Sequence, residues 1–159
     1  MTQEDKELLL QDLCARLPYG VKVQVADYRT PVELSHINTK NGNGRKPYCF
    51  VFAFGPERVK PYLRPMSSMT EEEKEELLIS ILGNKEDTKY FQVMSDGSID
   101  QKDNAVQELS NFTFHWINFD GKNTSSYIDW LNANHFDYRG LIPKGLAIEV
   151  TDKNNPYKE

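Results

Sequence analysis

The run Tyr48-Cys-Phe-Val-Phe-Ala-Phe54 constrains the fold more than any other stretch of this chain. In an extended segment Tyr48, Phe50, Phe52 and Phe54 fall on one face and Cys49, Val51 and Ala53 on the other, because successive side chains of a strand point to opposite sides. Neither face is plainly polar, so both need cover, which is the pattern of an inner strand. Residues 48–54 are therefore the candidate central strand. The turn-rich segment 38–47, NTKNGNGRKP, joins it as a hairpin to a strand over Val32 to Ile37.

The remaining segments alternate irregularly between helix and strand. Thr2 and Asp5 form a capped start, and Leu9, Leu10, Leu13, Cys14 and Leu17 recur at helical spacing until Pro18-Tyr-Gly20 stops the run. Val21, Val23 and Val25 alternate with Lys22 and Gln24 as a strand with one buried face. Pro56, Pro61 and Pro65 mark an extended connector that buries Tyr62, Leu63 and Met66. Thr70 with Glu73 is a capping box for a helix that places Leu77, Leu78, Ile81 and Leu82 on its apolar side and closes at Gly83. Tyr90 to Met94 reads as a strand, Ser95 to Ser98 as a turn, 104–109 as a weak helical turn and 112–117 as another strand. In the stretch from Thr124 to Ile148, Tyr127, Trp130, Leu131 and Asn134 lie along one side of a short docking helix. Leu146 to Val150 is a final short strand, followed by a polar segment expected to fray. Strands precede and separate the helices without a βαβ rhythm. The expectation is a single α+β domain over 1–159, with a mostly antiparallel sheet and about three helices packed on it.

The 159 residues carry a formal net charge of −5, which disfavours a whole-surface affinity for nucleic acid or anionic membrane. The charge is uneven. Between Lys40 and Arg64 six basic residues face Glu57 alone, so this window is +5 and the remainder −10. Cys14 and Cys49 fit no metal-ligand spacing and read as buried thiols. The acidic start MTQEDKELLL lacks the basic flank of a signal peptide, and no apolar run approaches membrane-spanning length, so a cytoplasmic protein with no membrane partner is expected.

Three constellations carry potential chemistry. His135, Asp137, Tyr138 and Arg139 form a polar cluster in which His135 and Asp137 share a face if the segment is extended, as a base and its orienter or as two metal ligands would. The bland reading is stronger: a His after a helix end satisfies carbonyls, and Asp137 with Arg139 fixes a turn. His36 and His115 are isolated on predicted strands, and no HExxH or Gly-x-Ser-x-Gly is present; the second constellation, Gly42-Asn-Gly44 followed by Arg45-Lys46, lacks the Gly-Lys-Ser/Thr ending of a phosphate loop and precedes a strand. No catalytic residue, cofactor or metal is assigned. The third constellation is Arg45, Lys46, Tyr48, Phe50 and Phe52. It overlaps in part the aromatic strand signature of RNA-recognition domains, although Pro47, Cys49 and Ala53 break it. Exposed aromatics there, beside the basic window, would stack single-stranded bases.

Leu8 to Val25, Lys60 to Leu77 and above all Tyr127 to Glu149, which contains WLNANHFDYRGLIPKGLAIE, resemble a family of open reading frames from gut Bacteroidales genomes, their prophages and mobile elements. The resemblance covers these segments and transfers no activity, cofactor or catalytic residue. It implies a bacterial or phage cytoplasm and an accessory role for the element carrying the gene. The leading expectation is a non-enzymatic protein that binds another protein. Single-stranded nucleic-acid binding is second, and a small enzyme or metal site around His135 and Asp137 third.

Overall fold

The structure is a computed structural model that describes residues 1–26, 28–38, 48–50, 55–102 and 121–158, with the backbone alone for 38, 48–50 and 121–124. In chain order its helices and strands are α1 (Gln3–Arg16), β1 (Lys22–Val25), β2 (Val32–Glu33), β3 (His36–Asn38), β4 (Tyr48–Phe50), β5 (Val59–Leu63), α2 (Glu71–Leu82), β6 (Phe91–Val93), β7 (Ile99–Gln101), α3 (Gly121–Ala133) and β8 (Ile148–Glu149). The class is α+β, with a mostly antiparallel sheet. The chain gathers into two compact units, one of residues 1–65 with 135–159 and the other of 66–134.

The first unit begins with the capped helix. The Asp5 N–H donates to Thr2 Oγ1 at 3.1 Å and the Thr2 N–H donates to Asp5 Oδ2 at 2.9 Å, so two of the N–H groups that every helix start leaves unpaired are satisfied reciprocally. Gly20, at φ +65°, turns the chain into the sheet after a short 3₁₀ turn. The sheet order is β2-β1-β5-β8, with β1 antiparallel to β2 and β5, and β5 parallel to β8. Leu9 and Leu13 from α1, Val23 and Val25 from β1, and Val59 and Leu63 from β5 form its core with Leu34, Leu141 and Leu146.

Among the described residues the inner positions of this sheet belong to β1 and β5, and of the expected central strand 48–54 only 48–50 are described. β4 pairs with β3 in a separate two-stranded ladder, Ile37 opposite Cys49. Residues 51–54 lie outside the described residues, as do 39–47. The expected hairpin pairing of the two strands is present, but the first of them divides: Val32–Glu33 pairs with β1 and His36–Asn38 with β4. At the break the buried Leu34 donates its N–H to Val21 O at 2.9 Å.

β5 occupies the stretch that its prolines suggest is a connector. The register explains why Pro61 is tolerated. Ala26 N–H donates to Arg58 O, which makes Val25 and Val59 a pair that does not exchange its own backbone bonds. Antiparallel pairs alternate, so Val23 and Pro61 are of the same kind, and the missing N–H of Pro61 is not required by β1. On the other side β8 begins opposite Tyr62. Proline thus sits where no ladder bond is demanded of it.

In the second unit α2 starts from the Thr70 and Glu73 capping box and ends at Gly83 (φ +77°), whose N–H donates to Ile79 O at 2.8 Å. The Ser95 to Ser98 turn joins β6 to β7, a strand whose sequence Ile-Asp-Gln gives little apolar signal. α2 packs against α3, and Leu77, Leu78, Phe91, Val93 and Leu131 are buried. The predicted elements 104–109 and 112–117, with His115, lie outside the described residues. Cys14 is exposed rather than buried, because it follows the buried Leu13 by one position and is rotated about 100° around α1. Of Cys49 only the backbone is described.

Candidate functional site

The polar cluster lies where the chain re-enters the first unit after residue 134. Arg64 N–H donates to His135 O at 2.9 Å and Asp137 N–H donates to Arg64 O at 2.8 Å, forming a parallel bridge between Arg64 and Phe136. Phe136 is fully buried, with the Arg64 guanidinium 4.3 Å from its ring centroid. This bridge sets the path of the four residues singled out from the sequence.

His135 has φ +59°, a left-handed conformation that His adopts more readily than most side chains. The segment is therefore not extended at this residue, and His135 and Asp137 do not share a face as a strand would have them do. Its ring stacks on Tyr157, centroids 4.0 Å apart and planes 11° from parallel. Nδ1 is buried with no hydrogen-bond partner among the described residues. Burial first, then the positive charges of Arg16, Arg64 and Lys22, bring its pKa down from 6.5 to about 4. The imidazole is neutral at pH 7.

Asp137 is buried and spends both oxygens on the backbone. Oδ1 accepts the Leu141 N–H at 2.8 Å and Oδ2 the Ile142 N–H at 2.7 Å. It fixes the turn that carries Gly140 at φ +70°, and it does so without Arg139. Arg139 Nε instead donates to Tyr138 Oη at 3.0 Å and lies 3.6 Å from Asp12 Oδ1. The guanidinium carbons of Arg139 and Arg16 stand 5.1 and 5.4 Å from the Tyr138 ring centroid.

Three further residues complete the node, and sequence reasoning did not single them out. Asp12 and Arg16 are both 0% exposed, and Arg16 Nε donates to Asp12 Oδ2 at 2.8 Å. Arg16 Nη2 reaches Phe136 O at 2.7 Å. The signal was present: positions 9, 12, 13 and 16 form one helical stripe, so Asp12 and Arg16 share the buried side of Leu9 and Leu13. Tyr157 is the third. Its hydroxyl accepts the Lys22 N–H at 3.1 Å and donates to Tyr62 O at 2.8 Å. Burial pushes this phenol up to about 12, against smaller opposite effects of the Lys22 bond and Arg16.

The chain matches no protein-family model, no curated protein and no solved structure. Its chemistry therefore rests on the side chains themselves. Among the described residues no group of three His, Cys, Asp or Glu side chains is placed to hold a metal ion. His36 is exposed, 3.0 Å from Ser35 Oγ through Nδ1. Of the nucleic-acid candidates, Tyr48 and Phe50 stand on β4 opposite Asn38 and His36. Arg45, Lys46 and Phe52 lie outside the described residues. Among the described residues, no helix is long and apolar enough to cross a membrane.

Proposed function

We propose that this protein works by binding another protein, and that its 135–139 cluster is a structural node. The observation that carries this reading is the commitment of Asp137: each carboxylate oxygen takes a backbone N–H group, so the side chain is anchored to the turn that it closes. The neutral, stacked His135 and the fully buried Asp12–Arg16 pair support the same reading. A cytoplasmic accessory role in a bacterium, phage or mobile element belongs to this proposal and rests on the resemblance of the three segments. Affinity capture of the tagged protein from its host with cross-linking, run beside an unbiased metabolite-turnover screen, tests it. A specific protein partner is expected. Turnover that disappears in His135→Asn or Asp137→Asn would overturn it.

A second reading, single-stranded nucleic-acid binding, is supported by the β3–β4 register. It pairs Tyr48 with Asn38 and Phe50 with His36 in a strand, within a window that also contains the exposed Lys60. A salt-dependent mobility shift with short oligonucleotides, lost in the Tyr48→Ala, Arg45→Ala double variant, is the expected result. No shift at low salt ends this reading.

A further inference from the structure

We propose that segment 151–158 is a releasable strap, latched by the Tyr157 hydroxyl in the β1–β5 ladder and by the Tyr157 ring on His135, and that a proton on His135 releases it. The latch is a substitution within the sheet. Lys22 and Tyr62 stand one position beyond the Val23–Pro61 pair, where the strands would otherwise join Lys22 N–H directly to Tyr62 C=O. The Tyr157 hydroxyl stands between them, accepting from one and donating to the other. If it leaves, a backbone donor and a backbone acceptor lose their partners together.

The rest of the strap is held locally. Thr151 N–H donates to Asn154 Oδ1 at 2.7 Å, Asn154 Nδ2 donates to Glu149 O at 2.9 Å and Tyr157 N–H donates to Asn155 Oδ1 at 2.9 Å. Lys158 pairs with Asp152. Among the described residues, its hydrogen bonds to elements other than β8 run through Tyr157. Release at this one side chain therefore frees the segment without breaking the β5–β8 pairing.

The lever is the charge around His135. The groups that face it are Arg16 from α1, Lys22 from β1, Arg64 from the end of β5, and Tyr157 from the strap. The Asp12 carboxylate in the same node is held by Arg16 at Oδ2, while its buried Oδ1 lies 3.6 Å from Arg139 with no hydrogen bond among the described residues; that of Asp137 is taken by Leu141 and Ile142. A proton on the imidazole makes a fourth cation among three, with Nδ1 buried and without an acceptor among the described residues. Moving the ring and the strap toward water relieves both.

Amide hydrogen exchange on the whole chain reads this directly. The Lys22 amide is protected by the Tyr157 hydroxyl, whereas the Ala26 amide is protected by Arg58 O within the sheet. As pH falls from 6.5 toward 4, the protection factor at Lys22 is expected to drop by up to about tenfold per pH unit while that at Ala26 holds. In His135→Phe, which keeps a stacking ring and cannot take the proton, Lys22 protection is expected to be independent of pH. His135→Asn, neutral and tolerant of positive φ, serves if the Phe variant fails to fold, and gives lower but equally flat protection. In Tyr157→Phe, Lys22 protection is expected to be lost at every pH. Parallel loss at Lys22 and Ala26 in the native protein, or an unchanged acid response in both His135 variants, would overturn the proposal.

Discussion

Arg16 and Phe136, 120 positions apart in the chain, are joined by a 2.7 Å hydrogen bond from Nη2 to the Phe136 carbonyl. The same guanidinium is paired with Asp12, and neither side chain is exposed. Burying two charges is costly, and the cost is offset only while each has its partner.

Removing one partner alone should therefore be expensive. Arg16→Met is expected to lower stability by roughly 3–5 kcal/mol, since it strands the Asp12 carboxylate in the interior. Asp12→Leu should do the same by stranding the guanidinium. The double variant replaces an ion pair by apolar volume and is expected to lose much less than the two single losses combined. Urea unfolding midpoints check this, and strict additivity would show that the pair is not energetically coupled.

Asp137 makes a second, independent prediction. Asp137→Ala leaves the N–H groups of Leu141 and Ile142 without their acceptor, at about 1–3 kcal/mol for each. Asp137→Asn keeps one carbonyl oxygen but turns an amide NH₂ toward the other N–H, so a loss between those of the native residue and Ala is expected. A change smaller than about 0.5 kcal/mol in Asp137→Ala, the range of an ordinary surface substitution, would show that the turn does not depend on the carboxylate.

Both capping boxes, Thr2 with Asp5 and Thr70 with Glu73, were legible because donor and acceptor are three residues apart. The α+β class was legible for a related reason: periodicity is a local property. β5 was not, since whether Pro61 suits a strand depends on its register against Val23. Likewise β7 exists through pairing with β6, not through its own apolar content. At the site, the turn role of Asp137 could be read, but its acceptor partners could not. The strap expected to fray is instead anchored at Tyr157 by groups 95 and 135 positions away. His135 and Asp137 would share a face only in an extended segment, and the left-handed φ at His135, which no local pattern announces, removes that condition.

Two glycines with similar backbone angles should respond differently to substitution. At Gly83 (φ +77°) an added Cβ meets nothing within 4 Å, so Gly83→Ala should cost only the left-handed penalty, about 1–2 kcal/mol. At Gly97 (φ +87°) the Cβ would overlap Met66 Cε and stand 3.2 Å from Tyr127 Oη, which donates to Gly97 O at 2.9 Å. Gly97→Ala is expected to lose more than Gly83→Ala, and Met66→Ala in the Gly97→Ala background should recover part of the excess. Thermal unfolding of the three variants decides it; equal losses at the two glycines would mean that the flexible Met66 end moves aside at little cost.

The last prediction concerns chain connectivity. Residues 66–134 leave the first unit after Pro65 and return at His135, and the two crossing points are tied by the Arg64–His135 and Asp137–Arg64 backbone bonds. The bridge is parallel, so a linker from 65 to 135 must turn back on itself twice, and roughly a dozen residues suffice. The buried residues of the first unit's core, from Leu9 to Ala147, all come from 1–65 and 135–159. A chain with 66–134 replaced by such a Gly/Ser linker is expected to fold cooperatively and to keep strong exchange protection at the Leu141 and Ile142 amides, the two that Asp137 holds. A non-cooperative melt with loss of that protection would mean that the bridge between Arg64 and Phe136 depends on the intervening segment rather than on its own hydrogen bonds and the core beneath it.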